Sequence, residues 1–239
     1  MAGDLLLDRY RGPAAEVMTK SSETDMVSEA DRASEAAVRE LLATERPEDG
    51  LLAEEGSAHE SASGRRWVID PLDGTTNYLY RFPAWCVSVA LEDPEGTLAA
   101  VVHDPLHGET FRAERGGGCE LNGRPARVRP CERLETALVA TGFGYAAGIR
   151  AAQAEVLKRV LPRVRDIRRP GSAALDLAGV AAGRLDGYYE RGLKPWDWAA
   201  GRLLVTEAGG ALAELEGEPR GLVAACPPLL DQLVELVSG

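Results

Sequence analysis

The sequence predicts a layered sandwich of the α+β and α/β type, in which α and β layers alternate and two subdomains meet. Its 239 residues, 45% hydrophobic and 27% charged, have an ordinary globular composition and suffice for one large domain or two small ones. Strand-like runs separated by turns between residues 86 and 113 are typical of an antiparallel meander. Helices and strands alternate after residue 137. We therefore predict an N-terminal α+β subdomain over 1–136 and a C-terminal α/β subdomain over 137–239.

Helices are predicted where apolar residues recur at helical spacing between start and stop signals. Gly12-Pro13 stops the first helix, and Ser28 precedes the second. Pro195-Trp196-Asp197 is typical of a helix start, and Gly209-Gly210 closes the helix that it begins. The predicted helices cover 2–10, 29–42, 149–161, 173–183, 196–208 and 228–237.

Strands are predicted where short apolar runs are bounded by turn residues. They cover 50–53, 67–69, 86–91, 98–103, 110–113, 137–141 and a run that ends at Tyr188-Tyr189. The triple glycine at 116–118 and the Asn122-Gly123 pair continue the hairpin pattern. The polar segment 20–25 is predicted to be a loop, and the small, polar segment 57–65 a mobile loop.

Composition argues against several classes of function. A net charge of -11 argues against nucleic acid as the main partner, because duplex binding usually needs a basic face. No apolar run approaches the roughly 20 residues needed to span a bilayer, and the first residues do not resemble a signal peptide. Four scattered cysteines and three histidines show no zinc-type spacing, and the cysteines suit a reducing compartment. We therefore expect a cytoplasmic protein without nucleic-acid or membrane partners.

The segment RWVIDPLDGTTNY at 66–78 is the most informative motif. Asp70 and Asp73 are separated by a proline and a leucine, so both carboxylates can converge on one hard cation. Gly74 and Thr75 follow where a helix could start, and free backbone N–H groups at such a start bind anions. Carboxylates for a metal beside amides for a phosphate suggest metal-assisted phosphoester chemistry.

Three further acidic positions are candidates, although each has an ordinary structural explanation. Glu54 and Glu55 follow a predicted strand, and an exposed glutamate is common at the end of a strand. Asp31 lies on the second predicted helix. Asp197 could bind metal or cap the helix that it begins, and local chemistry favours capping. Local sequence alone does not bring these side chains together.

Five ordered blocks resemble the inositol monophosphatase family of magnesium-dependent, lithium-sensitive sugar phosphatases. They are TKSSETDMVSEAD (19–31), LLAEEG (51–56), WVIDPLDGTTNY (67–78), GSAALDLAGVAAGRLDGYYE (171–190) and WDWAAGRLLVTEAGG (196–210). The resemblance implies the two-subdomain sugar-phosphatase fold, an active site in the cleft between the subdomains, and a homodimer. The first helix is shorter than the family pattern, and the residues after Gly210 match it loosely.

The resemblance also implies which residues would hold two or three Mg²⁺ ions. Glu54, Asp70 and the carbonyl of Leu72 would hold the first ion. Asp70, Asp73 and Asp197 would hold the second, so Asp70 would bridge the two. Glu54 would share in a third, weaker site.

The remaining implied roles concern catalysis and the substrate. Asp31 would accept a hydrogen bond from Thr75, whose hydroxyl would contact the attacking water; Glu54 and Asp70 complete the implied catalytic set. The phosphate would lie against the amides of Gly74 and Thr75. The implied contacts to the alcohol part of the substrate are Gly171, Ser172, Ala173 and Glu190, with Asp73 and Asp197 beside the phosphate ester. The role of Glu190 depends mainly on the resemblance.

The predicted substrate is a small phosphorylated polyol, with myo-inositol 1-phosphate favoured. Thr76-Asn77-Tyr78 is the inositol-type continuation, whereas phosphoadenosine-phosphate phosphatases typically carry a lysine there. Fructose-1,6-bisphosphate, histidinol phosphate and phosphoadenosine phosphate remain alternatives, as does a non-catalytic regulatory binding module. The glycines between Gly142 and Gly148 follow a strand, but their spacing does not match a dinucleotide-binding loop.

Overall fold

A computed structural model describes residues 1–12, 17–19 and 26–238. Apart from the short helix at Thr75–Leu79, for which only a possible start was predicted, its α-helices lie where the apolar periodicity predicts them, with ends that differ by one to three residues. They are α1 Ala2–Arg11, α2 Glu29–Glu45, α3 Thr75–Leu79, α4 Ala147–Val160, α5 Ala173–Ala181, α6 Pro195–Glu207 and α7 Pro227–Ser238. A single 3₁₀ turn covers Leu134–Thr136. In the described residues, no helix has both the length and the apolar character needed to cross a bilayer.

The strands form one small and two large sheets. They are β1 Val17–Thr19, β2 Met26–Ser28, β3 Gly50–Ala53, β4 Ala58–His59, β5 Arg66–Asp73, β6 Cys86–Asp93, β7 Gly96–Asp104, β8 Glu109–Glu114, β9 Gly118–Leu121, β10 Arg124–Pro125, β11 Leu138–Thr141, β12 Asp166–Arg168, β13 Gly187–Arg191, β14 Ala211–Leu215 and β15 Gly221–Ala225. The strand orders are β1-β2, β10-β9-β8-β7-β6-β5-β3-β4 and β12-β11-β13-β15-β14.

The predicted meander is confirmed, because β6, β7, β8 and β9 pair with their sequence neighbours in antiparallel register. Phe111 and Ala113 of β8 are buried, whereas Arg112 and Glu114 are exposed, which is the alternation expected of a strand with one face on a core. All strands of the eight-stranded sheet lie between residues 50 and 125, and those of the five-stranded sheet between 138 and 225. The subdomain boundary at 137 itself stays a prediction.

Three apolar clusters show the predicted alternation of α and β layers. Helices α1 and α2 cover one face of the eight-stranded sheet, where Leu6 and Val38 are buried. Helices α5 and α6 fill the space between the two large sheets through Leu177 and Leu204. Helices α4 and α7 cover the far face of the five-stranded sheet, and Leu233 is fully buried there. Burying each such leucine contributes about 2 kcal/mol, so the layers are held mainly by these clusters.

The structure differs from the predicted elements in three places. The segment 57–65 contains β4, which pairs with β3, and its Ser63 hydroxyl donates to Asp49 at 2.6 Å. The strand that was predicted to end at Tyr188-Tyr189 continues to Arg191. Strands β1, β2, β12, β14 and β15 were not predicted, because they are short, rich in small residues or flanked by glycines. The loop predicted at 20–25 lies outside the described residues.

Candidate active site

Parallel pairing of β3 and β5 gathers the first carboxylates at one sheet edge. The two strands run side by side from Gly50↔Arg66 to Ala53↔Ile69, so Glu54 emerges beside the end of β5. The pairing of β5 with β6 is irregular between Asp70 and Asp73, and this irregularity lets the chain turn between the two acids.

Gly74 then begins the short helix α3 from a left-handed conformation. Its φ is 92°, and a Cβ at this position would lie 2.8 Å from the carbonyl oxygen of Ala84. Glycine is therefore required, because a side chain would meet both the strained backbone and this close neighbour. Both Gly74 and Thr75 line the central cleft of the molecule.

Helix α2 fixes the hydroxyl of Thr75. This hydroxyl donates to Asp31 Oδ1 at 2.8 Å and lies 3.1 Å from the carbonyl oxygen of Leu72. The hydrogen bond between Thr75 and Asp31 that the resemblance implied is therefore present. Asp31 is fully buried, so this contact orients Thr75 from behind the cleft wall.

Two more side chains of α2 brace the acidic loops, and the sequence reading missed both. Ser34 donates to the carbonyl of Pro71 at 2.8 Å, and Glu35 accepts from the backbone N–H of Glu55 at 2.8 Å. Both side chains are buried. Their spacing from Asp31, three and four residues on, places all three on one helix face, which was the available signal.

Asp197 is delivered by the first turn of α6. Its Oδ2 accepts the backbone N–H of Lys194 at 2.6 Å, so the predicted capping contact is present. The same side chain lines the cleft that Asp70 and Asp73 line. The two local explanations for Asp197 are therefore compatible, since one carboxylate can cap the helix and face the cleft.

A cleft of about 840 Å³ brings ten of the twelve predicted site residues together. These ten are Glu54, Asp70, Leu72, Asp73, Gly74, Thr75, Gly171, Ala173, Glu190 and Asp197. The other two, Asp31 and Ser172, are buried behind its wall. Residues that are remote along the chain thus share one cavity, although their chemical roles remain predictions.

The carboxylates on the cleft floor destabilise one another's charges. Burial raises the pKa of Asp70 well above its usual value, and the neighbouring Glu54, Asp73 and Asp197 raise it further. Burial and then Asp73 raise the pKa of Asp197 well above its usual value. The pKa of Asp73 rises to about 6, mainly through burial. A hydrogen-bonding contribution from Glu54 also raises the pKa of Asp70.

The donor set on the cleft floor fits a hard divalent cation. Mg²⁺ prefers carboxylate and carbonyl oxygens and keeps several water ligands, so a few acids and the Leu72 carbonyl suffice. In the part of the chain that the structure describes, no arginine or lysine forms an ion pair with Asp70, Asp73 or Asp197. Among the described residues, no group of three or more acidic, histidine or cysteine side chains is arranged to hold a metal ion as it stands. A cation bound at the cleft floor would relieve the repulsion, and the side chains would have to move to coordinate it.

The start of α5 holds Asp73 from the opposite side. The Ser172 hydroxyl and the backbone N–H of Ala174 both donate to Asp73 Oδ2 at 2.7 Å. The Ser172 oxygen also accepts the N–H of Leu175 at 3.3 Å, as an N-cap residue does. The Ser172 side chain therefore links the start of α5 to β5 through Asp73. Its predicted contact with the substrate stays a prediction.

Glu190 lines the same cleft. Burial raises its pKa to about 7, while a hydrogen bond from the Tyr188 hydroxyl, 2.7 Å long, and the nearby Arg169 oppose the rise. A Cβ on Gly142 would overlap the Glu190 carboxylate, so only glycine permits this approach. Glu190 thus presents a carboxylate whose protonation changes near neutral pH.

The loop between β11 and α4 forms a cleft wall that the sequence reading did not predict. Phe143, Tyr145 and Ile149 all line the cleft, and Tyr145 is 50% exposed. The glycines of this segment were considered only as a nucleotide-binding pattern. The available signal was apolar and aromatic residues in a loop that follows a strand, where binding residues commonly lie.

Comparisons with known proteins agree on one family. The chain matches the inositol monophosphatase family over residues 1–235. It is 46% identical over 202 residues to the inositol-1-monophosphatase of Rhizobium meliloti strain 1021, covering 84% of this chain and 76% of that relative. It is 41% identical over 218 residues to Nus factor SuhB of Escherichia coli K12, covering 90% and 82% respectively. The crystal structure of extragenic suppressor protein suhB from Bartonella henselae has a TM-score of 0.93 at 39% identity, covering 99% of this chain and 93% of that one.

Proposed function

Since the chain belongs to the inositol monophosphatase family, we propose that it is a Mg²⁺-dependent phosphomonoesterase that acts on small polyol phosphates, with myo-inositol 1-phosphate as the favoured substrate. One observation carries the proposal. Asp70 and Asp73 of β5 and Asp197 of α6 are desolvated together in a cleft large enough for a sugar phosphate, where neighbouring acids raise the pKa values of all three. Such mutual destabilisation is typical of functional sites.

In this proposal the cleft floor holds two or three Mg²⁺ ions. Glu54, Asp70 and the Leu72 carbonyl would hold the first, and Asp70, Asp73 and Asp197 the second. Bound Mg²⁺ supplies charge neutralisation and lowers the pKa of water, which phosphate-ester hydrolysis needs. The third ion, if Glu54 helps to hold it, adds to the same chemistry.

The chain's own residues would position the ester. The backbone N–H groups of Gly74 and Thr75 would donate hydrogen bonds to phosphate oxygens at the start of α3. The Thr75 hydroxyl, held by Asp31 at 2.8 Å, would orient the attacking water. Glu190 would accept a hydroxyl of the polyol beside Gly171 and Ala173. Most of the rate enhancement would then come from positioning and charge neutralisation, as in other phosphoryl transfers.

Phosphate release from a panel of esters tests this proposal. The panel contains myo-inositol 1-phosphate, fructose-1,6-bisphosphate, histidinol phosphate and phosphoadenosine phosphate, each with Mg²⁺. Asp73→Asn should lower turnover at least about 1,000-fold, because a metal ligand contributes several kcal/mol to the transition state. Asp166→Asn is the matched control, since that aspartate is exposed and paired with Arg168. Full turnover by Asp73→Asn would refute the proposal, and a 100-fold preference for histidinol phosphate would refute the favoured substrate.

A regulatory binding module is the second candidate, because relatives at 41% identity carry the name Nus factor SuhB. A protein that releases no phosphate from any ester on the panel would favour this candidate. The expected homodimer, lithium sensitivity and cytoplasmic location are also proposals. Light scattering and inhibition by Li⁺ test the first two directly.

A further inference from the structure

The cleft separates its charges into an acidic floor and a basic rim. Asp70, Asp73 and Asp197 form the floor, and four cations and one acid that line the same cleft form the rim. The rim consists of Arg169, Arg191, Lys194, Arg220 and Glu218. In a chain with a net charge of -11, such a concentration of positive charge at one cavity mouth is not an average surface.

Backbone contacts hold one side of the rim in place. Arg191 Nη1 donates to the carbonyls of Glu216 and Pro219, both at 3.0 Å. The N–H of Gly192 donates to the carbonyl of Arg220 at 2.8 Å. These bonds attach the turn between β14 and β15 to the end of β13, so Arg220 is presented from a fixed backbone.

Neighbouring acids pair only weakly with the cations of the rim. Arg220 approaches Glu214 no closer than 3.9 Å, and both side chains are largely exposed. In the described residues, Lys194 forms no ion pair, and it lies at the start of α6, three residues before Asp197. Arg169 stacks on the Phe143 ring at 5.7 Å. Exposed, weakly paired cations retain most of their capacity to bind an anion.

We propose that Lys194 and Arg220 form a subsite for a second anionic group of the substrate. The inference deepens the proposed function, on which it rests. The scissile phosphate would lie at the acidic floor, and a phosphate or carboxylate elsewhere on the same molecule would contact the rim. The substrate class therefore extends from polyol monophosphates to small esters with two anionic groups. Arg169 also lines the cleft.

Calorimetry with hydrolysis-resistant phosphonates tests the subsite. Hexane-1,6-bisphosphonate and hexylphosphonate are titrated into the Mg²⁺-loaded protein, because C–P bonds are not substrates for a phosphomonoesterase. The bisphosphonate should bind at least about 10-fold more tightly than the monophosphonate. Lys194→Ala and Arg220→Gln should each reduce this ratio about 5-fold, since each variant loses a charge-assisted hydrogen bond that is partly screened at the surface.

Matched variants separate a specific subsite from general attraction. Arg112 is also exposed and also 3.9 Å from its glutamate, so Arg112→Gln is the control for Arg220→Gln. Lys158→Ala, on α4, is the control for Lys194→Ala. Both controls should leave the affinity ratio unchanged. Equal affinities for the two phosphonates, or rim variants that weaken both equally, would overturn the subsite. Absence of phosphate release with an intact ratio would instead sink only the proposed activity.

Discussion

Two buried acidic regions of this molecule are treated in opposite ways. Asp186 is fully buried and accepts hydrogen bonds from Arg129 at 2.8 and 2.6 Å and from the N–H of Leu138 at 2.7 Å. Asp70 is equally buried, but its neighbours include Glu54, Asp73 and Asp197. One acid is neutralised by the protein itself, and the other is surrounded by like charges.

The contrast shows what the cleft floor is for. The fold pairs a buried acid with an arginine where the acid only joins elements, as Asp186 joins the 129 region to β11. It provides no such partner for Asp70, although the arrangement costs stability. We expect cation binding to restore the stability that this arrangement loses.

The largest expected effect is an opposite change in stability at the two acids. Asp186→Asn should lower the free energy of unfolding by about 2–3 kcal/mol, because a charged hydrogen-bonded pair is broken while the half-exposed Arg129 rehydrates. Asp70→Asn should raise it by about 1 kcal/mol in EDTA, because one repelling charge is removed. Urea titrations of both variants measure the change. A loss of stability in both would erase the distinction between the regions.

Glu190 extends the comparison to pH. Its folded pKa, about 7, lies above the usual 4.5, so its contribution to stability is complete below pH 4.5 and is lost as the pH rises through 7. Relative to Glu190→Gln, the wild type should therefore lose about 1–2 kcal/mol between pH 4.5 and 8, allowing for partial exposure. Unfolding at several pH values measures this difference, with the exposed Glu132→Gln as control. A flat difference would contradict the burial of the Glu190 charge.

Ser172 provides the smallest test, because it stabilises Asp73 without carrying charge. Ser172→Ala removes both the bond to Asp73 and the cap of α5, so the free energy of unfolding should fall by about 1 kcal/mol. Mg²⁺ affinity, measured by calorimetry, should fall a few-fold because Asp73 loses its orientation. Ser172→Thr should retain both properties. Equal stability and equal Mg²⁺ affinity of Ser172→Ala and Ser172→Thr would contradict the role of the hydroxyl in positioning Asp73.

Sequence patterns predicted some parts of the site because their chemistry is local. The helix start at Pro195, the turn after Asp73 and the meander each depend on neighbouring residues. That Asp197 lines the same cleft as Asp70 depends instead on how α6 packs between two sheets. Only the family resemblance could suggest this arrangement. The wall formed by Phe143 and Tyr145 was missed for the same reason, since its position follows from the sheet behind it.

Thermal unfolding of the wild type in excess Mg²⁺ and in EDTA tests the central claim most directly. If the acidic floor is a cation site, Mg²⁺ at about 100 times its Kd should raise the Tm by about 5–10 °C, because ligand binding contributes about 2.7 kcal/mol under these conditions. The increase should disappear in Asp70→Asn. Identical melting temperatures of the wild type in the two solutions would contradict the claim.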